Sequence, residues 1–194
     1  MGLRTEKLGL IECGEMDYKR LIQNWHIRAA EEDYFSKFVF EYLAFIAHLK
    51  TQLYPIGGDD RCAIQKLKQS QDFKRKYLQR ISSKRTLEDN WKHIKTKLEQ
   101  MRLGNASRDP WNVEEIEWWN CDRDELNQRT PEEIEKTKGV VHSLDDWGNM
   151  IEFWYAIRNN LFHGAKDPEN ERDQFAVKYG YRTLKELMEI MLND

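Results

Sequence analysis

The stretch Met150-Ile-Glu-Phe-Trp-Tyr-Ala-Ile-Arg-Asn-Asn-Leu-Phe-His-Gly-Ala-Lys-Asp-Pro168 constrains the fold more than any other part of the chain. It reads as the last turns of a helix, a stop, and the start of another. At about 100° per residue, Trp147, Met150, Ile151, Phe153, Trp154, Tyr155, Ile157, Leu161 and Phe162 fill an apolar arc of roughly 200°. So wide an arc predicts burial on two sides, against the chain's own core and against something else. Arg158 falls inside the arc, in line with Trp147, Ile151 and Trp154. A bare buried guanidinium is too costly, so Arg158 must either be bridged to a carboxylate or line a cleft. Asn159 and His163, four apart, share the opposite arc with Glu152. Ser143, with Asp146 three residues on, marks the start of this helix. Gly164 after His163 is a stop signal, and Asp167-Pro168 reads as cap and first-turn proline of the next helix.

The rest of the chain is also helical in pattern. Ten glycines and four prolines in 194 residues leave long uninterrupted runs, and seven tryptophans argue against disorder. The predicted class is all-α, a single domain in which helices pack as an antiparallel bundle. A helix capped near Asp17 runs towards Ala30 and buries Leu21, Ile22 and Trp25; His26 on it reads as a surface or packing residue. Phe35, Phe38, Val39, Tyr42, Ile46, Leu49 and Leu53 define a second helix from about Asp33 to Pro55. Glu41 and His48 flank its apolar stripe, and Glu41 is either solvated or the partner of an Arg from a facing helix. The last helix, about 168–192, buries Phe175, Tyr179, Leu184, Leu187, Met188 and Met191, with Gly180 leaving room for a close crossing.

Charge divides the middle of the chain. Residues 61–102 hold thirteen Lys and Arg against four acids, and Asp109 to Asp146 hold twelve acids against four basic residues. The basic stretch, about 60–103, reads as two helices capped by Asp60 and by a Thr86–Asp89 capping box, with a break near Ser82-Ser83. Lys74, Arg75, Lys76, Lys92 and Lys95, interleaved with Phe73, Tyr77, Trp91 and His93, are candidates for holding an RNA strand. An ordinary solvated face is the competing reading. The acidic segment, about 104–142, carries Trp111, Trp118 and Trp119 and reads as a long connection folded over the bundle. Its carboxylates repel phosphate, so the tryptophans are assigned to packing rather than to base stacking. It is also a candidate to dock on the basic helices.

Several chemistries lack their signatures. Cys13, Cys62 and Cys121 have no zinc or redox spacing and read as free thiols of a cytoplasmic protein. The N-terminal residues lack the apolar core of a secretory signal, and no run approaches a membrane span. Neither a phosphate loop nor a dinucleotide fingerprint is present. The five scattered histidines give no metal site, and no cofactor is expected. The net charge of −3 is not that of a generically basic nucleic-acid binder.

Arg158-Asn-Asn-Leu-Phe-His163 resembles the Arg-x4-6-His motif of the HEPN superfamily, in which a polar residue, often Asn, follows the Arg near the end of a late core helix. Glu31 to His48 resembles the early core helix of several HEPN groups in its acidic start, aromatic face and small-residue patch. The likeness covers roughly 31–53 and 143–192. Arg20 to His26 satisfies the loose spacing too, but has Leu after the Arg and no glycine stop. The resemblance implies a HEPN-like bundle with the core at about 17–55 and 143–192. It also implies a metal-independent endoribonuclease of the toxin–antitoxin or phage-defence kind. RNA's 2′-hydroxyl would attack the adjacent phosphate, with His163 as general acid or base, Arg158 stabilising the phosphoryl oxygens, and Asn159 orienting the His or binding phosphate. The implied partners are RNA, a second copy through the 143–163 helix, and an antitoxin such as a small nucleotidyltransferase. A non-catalytic RNA-binding or dimerisation module of the same fold is the alternative.

Overall fold

The computed structural model describes residues 17–30, 33–53, 59–104, 130, 132, 138–163 and 167–194. All regular structure among them is helical: α1 (Tyr18–Ala29), α2 (Tyr34–His48), α3 (Asp60–Gln69), α4 (Gln71–Ser83), α5 (Arg85–Gln100), α6 (Trp147–Phe162) and α7 (Glu171–Leu192). No helix among the described residues is long and apolar enough to cross a membrane.

Local chemistry sets the helix starts. The Asp17 carboxylate caps α1 at the Arg20 amide, and Asp33 caps α2 at the amides of Phe35 and Ser36, as expected. Elsewhere the caps move. The basic stretch forms three helices rather than two, because Ser70 ends α3 and caps α4 through the Phe73 amide. The chain turns again at Lys84, so Thr86 lies inside α5 and the expected capping box does not form. Asp59, not Asp60, caps α3, which leaves the Asp60 carboxylate free for other partners. Asp146 caps α6 at the Asn149 amide. Asn170 rather than Asp167 caps α7; Asp167 instead accepts from the Glu169 amide in the turn before it. The expected stops at Pro55 and Gly164, and Trp111, Trp118 and Trp119, lie outside the described residues.

The longest helix, α7, is the common neighbour of α2, α4, α5 and α6, while α1 packs on α2 and α3 on α6. Between them lies an aromatic core. The Trp154 ring is 5.8 Å from both Tyr77 and Trp91 and 6.3 Å from Phe45, centre to centre. Each buried polar atom of these rings has a partner. Trp154 Nε1 donates to Thr183 Oγ1 (2.9 Å), Tyr77 Oη to the Thr183 carbonyl (2.8 Å), and Trp91 Nε1 to Tyr77 Oη (3.0 Å).

A π-helical turn, Leu49–Leu53, continues α2. The long connection leaves α5 and returns at one spot, where the Leu103 amide donates to the Gly139 carbonyl at 3.2 Å. Gly139 holds φ of 68° there, a conformation that favours glycine.

Gly180 makes the close crossing expected of it. A Cβ at this position would lie 2.7 Å from Ile157 Cδ1 and 2.9 Å from the Phe38 ring. Alanine is the better helix former by about 1 kcal/mol, but the Phe38 ring is fixed in the core and cannot yield as a flexible chain end can. Gly180→Ala is therefore expected to destabilise by about 1–3 kcal/mol in chemical denaturation. Adding Ile157→Val should recover part of that loss.

Candidate functional site

The last turn of α6 carries the site. Arg158 Nη2 donates to Asp60 Oδ2 (3.1 Å), in the first turn of α3, and Nη1 donates to Asn159 Oδ1 (2.9 Å). Lys50, on the π-helical turn, reaches the other Asp60 oxygen at 3.3 Å. One carboxylate is thus shared by two cations. The cluster keeps a net positive charge, and all three groups remain partly open to solvent. The Arg158 guanidinium also lies 4.9 Å from the Phe162 ring centre, and Phe162 is 57% exposed. His163 follows as an exposed C-cap residue. Arg158 therefore satisfies both alternatives read from the sequence: it is bridged to a carboxylate, and it edges a surface site.

Beneath the cluster lies the Tyr42 hydroxyl, buried and without a hydrogen-bond partner. Burial pushes its pKa far up; the Arg158 charge opposes this, while Asp60, Tyr155 and Glu152 add to it.

The arc opposite Arg158 is not a solvated face. Glu152 is 2% exposed and receives Arg61 Nη1 at 2.7 Å and Lys68 Nζ at 2.8 Å, both from α3. Asn159 is buried beside it. Asn160 donates from Nδ2 to the Gly104 carbonyl at 2.8 Å and so ties the root of the long connection to α6. The second burial surface expected of α6 is thus supplied by the chain itself, through α3. Among the described residues of α6, the C-terminal end is the most exposed part. There Leu161 and Phe162 join Phe35, Ser36, Val39 and Phe40 in lining a groove of about 330 Å³.

Glu41 does not meet an Arg. Its fully buried carboxyl group is hydrogen-bonded to His26 Nδ1 at 2.7 Å, so His26 is a paired residue rather than a surface one. The second Glu41 oxygen has no partner. Desolvation raises this carboxyl pKa, with His26 pulling the other way.

The candidate RNA-binding cations are for the most part engaged. Arg75 and Lys76 pair with Asp72, and Lys76 also with Asp194. Lys92 pairs with Glu88 at 2.6 Å and Lys95 with Glu99 at 2.5 Å. Arg80 and Lys84 turn to Glu186 on α7, and Arg80 also to Glu189. Lys74 is half-buried on α4. Among the described residues, no group of three or more His, Cys, Asp or Glu is arranged to hold a metal ion.

Asp60, Lys50, Tyr42 and Phe162 are the neighbours of Arg158 that sequence reasoning missed. A signal existed for Asp60: two consecutive aspartates open α3, and a helix start uses one as its cap.

Two substitutions test these pairings. Glu152→Ala leaves Arg61 and Lys68 converging without a counter-charge, and a loss of about 2–3 kcal/mol is expected in denaturant unfolding. For Glu41, a pKa raised in the fold means that stability is highest while the carboxyl is protonated and falls as pH rises from the ordinary value of 4.5 through the raised one. Glu41→Gln should remove this fall, so the variant gains on the parent chain as pH rises across that interval, as read by thermal melts in a pH series.

Compared with known proteins, the chain matches no family model, no curated protein and no solved structure.

Proposed function

We propose that the chain is a metal-independent endoribonuclease of the HEPN kind, with an antiparallel bundle of HEPN-like topology, in which Arg158 and His163 are catalytic residues and Asn159 supports Arg158. The observation that carries this reading is the end of α6. On a mostly buried helix, a guanidinium and an imidazole both reach the surface near its C-terminal end. The guanidinium has five N–H donors, of which Asp60 and Asn159 take one each, so three remain for phosphoryl oxygens. Asn159 acts as a positioning residue by holding Nη1. Imidazole is the side chain suited to exchanging protons near neutral pH.

In the reaction, His163 accepts the 2′-hydroxyl proton while the 2′-oxygen forms its bond to phosphorus. The bond from phosphorus to the 5′-oxygen breaks, and that oxygen takes a proton from a second acid. The products are a 2′,3′-cyclic phosphate and a 5′-hydroxyl. Arg158 stabilises the charge that builds on the non-bridging oxygens. One chain provides one such imidazole, so a second copy meeting at the ends of the two α6 helices supplies the other. The exposed Phe162 and the groove beside it are the apolar surface for that meeting. A toxin–antitoxin or phage-defence setting, with a small nucleotidyltransferase as antitoxin, comes from the resemblance alone.

The Arg158–Asp60 pair favours a second reading, a non-catalytic RNA-binding or dimerisation module in which Arg158 is structural.

His163→Ala decides between them. Since His163 is exposed, the change should leave stability within about 0.5 kcal/mol. On the enzyme reading it lowers RNA cleavage by about 10²-fold or more. Arg158→Ala should also abolish cleavage, at a cost of about 1–2 kcal/mol in stability. Cleavage should persist in EDTA and leave cyclic phosphate ends. Cleavage that survives His163→Ala, or a chain that stays monomeric in light scattering across micromolar concentrations while cutting RNA, overturns the mechanism.

A further inference from the structure

Positive charge without an ion-pair partner gathers at the junction of α2 and α7. Lys37, Lys178 and Arg182 surround Tyr34, with their charged groups 5.3, 5.6 and 5.6 Å from its ring centre. Arg182 Nη2 donates to the Tyr34 hydroxyl at 3.0 Å. Among the described residues, none of the three cations has a carboxylate within ion-pair distance, in contrast to the paired cations of α4 and α5. Lys178 and Arg182 stand four apart on one helix face, where like charges repel. Two adjacent unpaired cations weaken a helix slightly unless an anion comes to them.

Next to the cations is a cluster of rings. Phe175 and Tyr179 are 4.6 Å apart between ring centres, and His93 of α5 lies 5.0 Å from Tyr179 and 5.3 Å from Phe175. Lys178 and Arg182 also lie against the Tyr179 ring, at 5.8 and 5.5 Å. Tyr34, Phe175, Lys178 and Tyr179 help line a concavity of about 600 Å³, which the carboxylates of Asp33 and Glu171 also line on the side towards the starts of α2 and α7. Flat rings beside cations that lack an ion pair match a chain that alternates bases and phosphates. A folded protein partner rich in carboxylates would satisfy the cations but has no special use for the ring cluster.

Position adds the second strand of reasoning. Phe35 lines this concavity and also the groove that holds Leu161 and Phe162. Phe162 lies against Arg158. A strand seated on the rings therefore has a short path over Phe35 to the end of α6.

We infer that Tyr34, Lys37, Phe175, Lys178, Tyr179 and Arg182 form a binding platform for single-stranded RNA, in which bases stack on the rings and the cations hold the adjoining phosphates. The platform deepens the ribonuclease reading, on which its RNA substrate rests, and places the strand's entry on α2 and α7 rather than at Lys74, Arg75 and Lys76.

The test measures the affinity of the full chain, carrying His163→Ala to prevent cutting, for a labelled single-stranded oligoribonucleotide across a salt series. Lys178→Ala with Arg182→Ala should weaken binding and flatten the slope of log affinity against log salt by about 1.4, since each phosphate contact on a single strand contributes about 0.7. Tyr179→Leu should weaken binding roughly five- to 150-fold with the slope unchanged, and Tyr179→Phe should bind as the parent does. Charge reversal at Lys74, Arg75 and Lys76 should leave the slope nearly as it was. Thermal melts confirm that each variant is folded. Binding unaffected by both sets of α7 variants overturns the platform, whether or not the chain cuts RNA. So does binding that follows charge alone, with Tyr179→Leu neutral and duplex RNA bound equally well, since that describes a plain polyanion surface. No binding of single-stranded RNA at low salt overturns it in favour of a protein partner. If the α7 variants lose binding as expected but the unmutated chain cuts no RNA, the platform stands and the endonuclease reading falls.

Discussion

Thr183 is the point on which the interior depends. Its hydroxyl accepts from the Trp154 indole and donates to the Tyr179 carbonyl, and its own carbonyl accepts from Tyr77, which in turn accepts from Trp91. Four helices, α4, α5, α6 and α7, are thereby linked through buried polar atoms that would each be costly if left alone. Ring packing by itself is tolerant of small rotations, but hydrogen bonds of this kind are not. The Trp154 bond fixes the rotation of α6, and with it the direction in which Arg158, one turn further on, leaves the helix. The same helix α7 carries Gly180, whose missing side chain lets Ile157 and Phe38 come close. Thus the position of the surface cluster is set from the core.

The charge distribution follows a similar logic. The stretch 61–102 is strongly basic as a sequence, yet four of its cations are drawn to acids on other elements: Arg61 and Lys68 to Glu152, Arg80 and Lys84 to Glu186. These bridges hold α3 to α6 and α4 to α7. For these four, the count of charge along the sequence cannot distinguish a cation used inside the fold from one offered to a ligand, because the neutralising acid is far away in the chain. At the α2–α7 junction the reverse holds. Three cations, separated in sequence and unremarkable in composition, converge on one tyrosine, and no described carboxylate is within ion-pair distance of any of them.

What could be read from the sequence was whatever depends on neighbours within one helix. The 3.6-residue pattern gave α1, α2, α6 and α7, and the aspartate caps at 17 and 33 were visible because the cap and its amides are local. The extra break at Ser70 was missed because Ser is a mild signal and the flanking residues are good helix formers. Asp60 and Asp167 were misjudged for the opposite reason, since each competes with another capping residue nearby and only tertiary contacts decide. Glu152 was taken for a polar-face residue. Its burial depends on α3 crossing over it, a contact between residues more than eighty positions apart. The Arg158 dilemma was stated correctly by physical chemistry, but its resolution in Asp60 lay beyond any local pattern.

The pairing of Arg158 with Asp60 invites the conclusion that the cation is spent, and the geometry argues otherwise. A guanidinium held at two of its five N–H groups is oriented rather than neutralised, because the carboxylate that holds it also serves Lys50. A free Arg would have to lose most of its rotamer freedom on meeting a phosphate; one already held by Asp60, Asn159 and the Phe162 ring has lost it during folding. The same positions limit what a single chain can do. Arg158 and His163 are five residues apart, which on a helix is about 140° around the axis and about 7.5 Å along it. A phosphate seated squarely on one guanidinium is therefore poorly placed for the imidazole of the same chain. On the ribonuclease reading, the imidazole that completes the site comes more naturally from a second copy, and the end of α6, where Phe162 stands exposed, is where that copy has to meet the first.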